Sequence, residues 1–225
     1  MSIVLLGASA SPFVRKVRAF LAEKGQPYEL DPVNPFAPPP NWREISPLGR
    51  IPALRDGDRI VNDSSVICQY LERRFPTPPL YPADDYEFAR ALWIEEYADG
   101  GLIPVLGPNI FLPLVLRPLL AGKPADDETE AAAQKAWDEQ IAPMLDYLEH
   151  TLGDREWFVG STITIADLSV ASAFVNARHA GFAPDRARWP RVRAFLERVW
   201  ARPSFAKPIA EETPIFGKRS ERVAD

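Results

Sequence analysis

Pro52, in the run Leu48-Gly49-Arg50-Ile51-Pro52-Ala53-Leu54, limits the possible folds of this chain more than any other residue. A proline has no N–H for a sheet ladder, so it must stand at a strand start or an edge. The strand is therefore predicted to begin at Ala53, and the backbone just before it is a special site. If the Ile51-Pro52 bond is cis, as about 5–6% of X-Pro bonds are in folded proteins, Ile51 turns its N–H and C=O outward. An extended, peptide-like ligand can then pair with them as an added strand. Asp63-Ser64 follows at the mouth of an apolar helix, where free N–H groups suit a carboxylate.

The segments around this site read as a small α/β unit. Ile3 to Leu6 is a short apolar run ending at Gly7, fit for a buried strand. Ser11 can cap a helix with Pro12 at its first position, and Val14, Val17 and Leu21 form its apolar stripe before Gly25. A second strand is predicted from Tyr28 to Val33. Residues 34–41 carry Pro35, Pro38, Pro39 and Pro40, which exclude a regular helix and suggest a loop over the ligand site. Ala53-Leu54 and Arg59-Ile60-Val61 flank Asp56-Gly57-Asp58, a hairpin composition. Val66, Ile67, Tyr70, Leu71 and Phe75 then recur at helical spacing.

Pro76, Pro78, Pro79 and Pro82 end that helix, and no convincing strand follows. The expected domains are 1–78 (α/β), a linker at 79–84, an all-α unit at 85–210 and a charged tail at 211–225. In the helical unit Trp137, Ile141, Leu145, Leu148 and Leu152 bury one face of a helix that kinks near Pro143. Thr164 to Asp167 reads as a capping box, with Ile163 and Leu168 as its hydrophobic staple.

Composition narrows the function. The sequence has 26 Lys and Arg against 31 Asp and Glu, a formal charge of −5, which offers no broad attraction for nucleic acid or anionic membrane. The single cysteine, Cys68, has no internal disulfide partner. No signal-peptide core and no apolar run of about 18 residues is read from the sequence, so a cytoplasmic location is expected. His150 and His179 lack metal-ligand spacing, so no metal is expected. Cys68 lies inside the helix predicted over Val66 to Phe75 and reads as a small buried hydrophobe.

Ser11 is the leading candidate for chemistry. Its hydroxyl lies between a buried strand and a helix N-terminus, where the partial positive charge favours an anion such as a thiolate. Free thiols ionise near about pH 8.5, and one charged hydrogen bond worth about 1.5–3 kcal/mol lowers that by a unit or more. Ser9 lies in the same loop and is the rival. Arg15, one turn beyond, reads as a solvated charge that adds positive field at most.

Ser11-Pro12-Phe13, the segment from Ser46 to Leu54, Asp63-Ser64 and Thr164-Ile165-Ala166-Asp167 together resemble the glutathione S-transferase family over nearly the whole chain. The resemblance implies a thioredoxin-like N-terminal domain followed by an all-α domain. It implies glutathione as co-substrate, with Ser11, the serine before the proline, activating the thiol. Ile51 beside Pro52 would pair with the cysteinyl backbone, Ser64 would take the γ-glutamyl carboxylate, Asp63 would face the α-ammonium and Arg50 would meet the glycyl carboxylate. A small hydrophobic electrophile would lie against Tyr97, Asp99, Ile103, Pro104, Phe111 and Leu114, in a region opened by Gly100-Gly101 and four prolines. The family is usually homodimeric. The alternatives are a non-catalytic binding protein on the same fold and a glutathione-dependent isomerase, dehalogenase or ether-cleaving enzyme. A thiol-disulfide oxidoreductase is disfavoured, because the first helix opens with serine and not cysteine.

Overall fold

A computed structural model describes residues 3–223; the ends of the expected N-terminal domain and of the expected tail lie outside the described residues. The N-terminal unit contains β1 (Ile3–Leu6), α1 (Pro12–Glu23), β2 (Tyr28–Asp31), α2 (Trp42–Ile45), β3 (Ala53–Asp56), β4 (Arg59–Asn62) and α3 (Ser64–Arg74). Its sheet has the order β2-β1-β3-β4, with β1 and β2 parallel and the other pairs antiparallel. The strand after Pro52 begins at Ala53, as its missing N–H requires. β2 stops at Asp31, two residues short of the expected Val33, because Pro32 cannot continue the ladder. The short helix α2 was not anticipated inside the irregular segment. Trp42, its buried first residue, packs with Leu6, Val33 and Ala53 in a small second core.

Gly7 is required where β1 turns toward α1. A Cβ there would stand 2.5 Å from Val14 Cγ2 and 3.5 Å from Ile51 Cβ, so only glycine lets the two site-bearing segments close on each other.

The C-terminal unit is all helical. α4 (Asp85–Glu96), α5 (Ile103–Leu106) and α6 (Arg117–Ala121) are joined by π-wound stretches at Tyr97–Leu102 and Gly107–Leu116. The result is one helical run, Asp85–Ala121, long and apolar enough by length and composition to cross a membrane, contrary to the expectation of no such run. Its apolar residues are divided among the core, the cleft and the surface, where Trp93 and Leu120 are exposed. Ile94, Ala98, Leu102 and Ile110 join the domain core, and others line the cleft described below. Pro108 and Pro113 lie within the wider-wound backbone, and Pro104 and Pro118 follow directly after it, so the four missing N–H groups fall in or beside the π-wound stretches of one continuous run.

α7 (Asp127–Ala136) passes through a π turn at Trp137–Ile141 into α8 (Ala142–Leu152), so the irregularity expected near Pro143 lies just ahead of it. The predicted stripe from Trp137 to Leu152 is buried throughout. α9 (Ile165–His179) forms the axis of the domain and packs on both α1 and α4. Its fully buried Asp167 accepts from the Phe158 N–H at 2.9 Å, the Thr164 N–H at 2.8 Å and the Thr164 hydroxyl at 3.0 Å. The capping motif therefore also ties the preceding loop to the helix. α10 (Pro190–Trp200) and α11 (Pro203–Phe216) follow.

The last helix runs six residues past position 210, so the expected tail at 211 starts as helix. Glu212 on that helix is fully buried, which explains the extension. Beyond it, Arg219 donates to the Ala180 carbonyl and pairs with Glu130.

Candidate functional site

One cleft of about 950 Å³ lies between the two units, within the usual size of a small-molecule site. Ser9 and Ser11 from the β1–α1 loop, Arg50, Ile51 and Pro52 before β3, and Asp63 and Ser64 at the start of α3 all line it. Three segments separated in sequence thus converge as expected. The Ile51-Pro52 bond is cis, and the ladder between β1 and β3 begins only at Ala53. Among the described residues no backbone hydrogen bond engages Ile51.

Ser11 is the N-cap of α1, half-buried, and its hydroxyl oxygen accepts from the Val14 N–H at a long 3.4 Å. That weak bond leaves the hydroxyl hydrogen available to a ligand. Asp63 holds a positive φ of 73° and caps α3 by accepting from the N–H groups of Ser65 at 2.9 Å and Val66 at 3.3 Å. Ser64, the first helical residue, is buried against the cleft floor. The α1 and α3 N-termini therefore face the same cavity, which favours a ligand with negative charge at two points.

Of the residues expected to hold a second substrate, Asp99, Ile103, Pro104 and Phe111 line the cleft, but Tyr97 and Leu114 do not. Tyr97 turns to the other side of the helical run, its ring 4.6 Å from that of Tyr147 and 6.0 Å from that of Trp93. Burial pushes its phenol up to about 12. Leu114 is in the core. The Gly100-Gly101 pair and the prolines do not open the helix; the wall remains helical.

Leu106, Gly107, Leu112 and Leu116 also line the cleft, as do Phe36, Asn176 and Phe216. Positions 99, 103, 107 and 111 recur every four residues, as do 104, 112 and 116 with one step omitted, so extending the stripe by fours would have found most of this wall. No local pattern points to Asn176 or Phe216. Of the proline-rich loop, Asn34, Pro35 and Phe36 reach the cleft, whereas Pro38 to Pro40 do not.

Arg15 overturns its sequence reading. It is fully buried, and its guanidinium bonds Glu212 on α11, the Ser172 carbonyl and the Asn176 side chain on α9. Lys16 beside it is buried too, donating to Glu95 at 2.8 Å and Ser65 Oγ at 3.1 Å and pairing with Asp99. Burial opposes its charge, but Asp99 and Glu95 hold the ammonium above its ordinary value. Cys68 is fully buried away from the cleft lining, and burial pushes its thiol well up. A neutral thiol there is a poor nucleophile.

This arrangement, a small mixed-sheet domain joined to an all-helical domain with a cleft between them bounded by a cis-proline segment and two helix N-termini, defines the structural class of the protein. Comparison with known proteins agrees. The pattern of the glutathione S-transferase N-terminal domain matches residues 5–79, and that of the C-terminal domain matches residues 116–212. Glutathione S-transferase 3 of Zea mays is 33% identical over 213 residues, covering 92% of each chain. Among solved structures, a glutathione S-transferase from Rhodospirillum rubrum superposes with a TM-score of 0.84 at 25% identity, covering 98% of both chains. One from Methylobacterium radiotolerans, in complex with glutathione sulfonate, gives 0.74 at 31% identity, covering 93% of this chain and 95% of that one. The chain belongs to the glutathione S-transferase family.

Proposed function

We propose that this chain is a glutathione transferase that lowers the thiol pKa of bound glutathione beside Ser11 and directs the sulfur at a small electrophilic or peroxidic substrate. The observation that carries the reading is the convergence of Ser11, Ile51 and Ser64 on one cleft. Each offers a different group: a hydroxyl at a helix N-terminus, a peptide unit outside the ladder, and a second helix N-terminus. The Ile51 N–H and C=O pair with the cysteinyl unit of the tripeptide, which lays its thiol toward Ser11. Ser64 holds the γ-glutamyl carboxylate, Asp63 faces the α-ammonium and Arg50 the glycyl carboxylate. The Ser11 hydroxyl donates to the thiolate and stays unmodified, while Ser9 remains the runner-up. The rate gain comes from a larger thiolate fraction and from holding both reactants together. Ile103, Pro104, Phe111, Leu112 and Leu116 provide an apolar wall for the electrophile.

Calorimetric titration with reduced glutathione and with S-methylglutathione tests this. Both are expected to bind saturably, and only glutathione to release protons near neutral pH. Absence of binding by either would overturn the reading in favour of an interaction module on the same fold.

The functional unit is a homodimer in this reading. Leu48 and Val66 on the first domain and Trp93 on the second are large apolar side chains more than half exposed, which a second copy would cover. Sedimentation is expected to give about twice the 25.2 kDa chain mass; a monomer at micromolar concentration would refute the dimer.

A further inference from the structure

We propose that Asn176 is a positioning residue for thiol activation: with Arg15 it fixes the Ala10 carbonyl and so sets the place of the Ser11 hydroxyl. This rests on the reading that Ser11 activates the thiol. Asn176 lies on α9, in the other domain from Ser11, and is 6% exposed on the cleft wall. Its Oδ1 accepts from Arg15 Nη2 at 2.9 Å, and its Nδ2 donates to the Ala10 carbonyl at 3.2 Å.

The amide has only one orientation that fits. A guanidinium carries donors only, so the Asn176 oxygen must face Arg15 and its NH2 must face Ala10. Arg15 cannot move to relax the contact. Its Nε bonds both Glu212 oxygens at 3.1 and 3.2 Å, its Nη2 reaches Glu212 Oε2 at 2.5 Å, and its Nη1 donates to the Ser172 carbonyl at 3.0 Å. Arg15 Nη2 also reaches the Ala10 carbonyl at 3.4 Å. On the other side of Ser11, the Ser172 hydroxyl donates to the Pro12 carbonyl at 2.7 Å. The residues before and after Ser11 are thus both tied to α9, across the domain boundary. The Ser11 backbone donates to the Ala8 carbonyl at 3.0 Å and accepts from the Arg15 N–H at 2.9 Å, but its side chain makes only the weak 3.4 Å cap, so the place of the hydroxyl is set by the backbone that these neighbours hold. The charged and titratable groups near the loop are Arg15 on α1, His179 on α9 and Glu212 on α11, with Arg50, Asp63 and Asp99 on the cleft.

The test compares Asn176→Ala, Ser11→Ala and the double variant in the pH profile of kcat/KM and in the KM for glutathione. Asn176→Ala is expected to raise the profile midpoint by about half a unit and lower kcat about three- to tenfold, leaving the KM within about twofold. On the Ser11→Ala background it is expected to add no further shift, because it acts through that hydroxyl. A profile unmoved by Asn176→Ala but moved by Ser11→Ala overturns the positioning role alone. Additive shifts overturn it as well. A profile unmoved by Ser11→Ala defeats the Ser11 reading, and the inference falls with it. If Asn176→Ala does not fold, Asn176→Leu replaces it: it keeps most of the volume, adds no charge and removes both hydrogen bonds, with the same shift expected.

Discussion

Ser11→Ala is expected to lower kcat/KM about 10- to 100-fold, because one hydrogen bond to an ionised group, worth about 1.5–3 kcal/mol, is lost from the thiolate. Folding will change little: the cap contact is long at 3.4 Å, and Pro12 still opens the helix. The thiolate absorbance of the bound tripeptide, followed against pH, checks the cause, since its midpoint should rise by one to two units on the order of that energy. An unchanged midpoint in the folded variant would move the role to Ser9 or to the helix end alone.

Glu212→Ala has the largest expected effect on stability. It strands a guanidinium with no access to solvent, and breaking such a buried pair from one side costs about 3–5 kcal/mol. For a chain of this size that is a fall of roughly 10 °C in Tm, measured by scanning calorimetry. Loss of activity at permissive temperature should follow, because Arg15 supports the Ala10 carbonyl.

Two titrations in the same cluster are expected to lower the stability of the wild type in acid, read as Tm against pH. Burial would raise the Glu212 carboxyl, but Arg15 and the neighbouring His179 hold it below its ordinary value of 4.5. Burial pulls the His179 imidazole below its ordinary 6.5, outweighing the pull of Glu212. In both cases the unfolded chain binds the proton more readily, so stability is full above the unfolded pKa and is lost as pH falls. The loss begins near pH 6.5 with His179 and deepens below 4.5 with Glu212. The Glu212→Ala variant should lose the lower part of this profile.

The first domain was largely legible because its signals are local. Pro52 marks the strand start, Asp56-Gly57-Asp58 the hairpin, and Ser11-Pro12 the helix cap, each within a few residues of what it determines. α2 escaped notice because four residues are too short to show a period. The candidate site was legible where it lies on helix starts and beside the proline, and its apolar wall was legible in part. Arg15 was misread because its partners, Asn176 and Glu212, lie 161 and 197 positions away, beyond any local pattern. Tyr97 was misplaced because the π-wound backbone changes which residues share a face.

Those π-wound stretches also bear on how this cleft can diversify. Ile103, Gly107, Leu112 and Leu116 face the cleft and are only half-buried, while Leu102, Ile110 and Leu114 on the same helical run carry the core, and Leu106 and Phe111 serve both. Ile103 and Leu116 pack against the core from its edge, so exchanging the first set removes less packing than exchanging the second and reshapes what the cleft admits at smaller thermodynamic cost. Exchanging the second set unseats the domain. One helical run thereby carries two kinds of heritable change, one that reshapes the cleft and one that tests the fold.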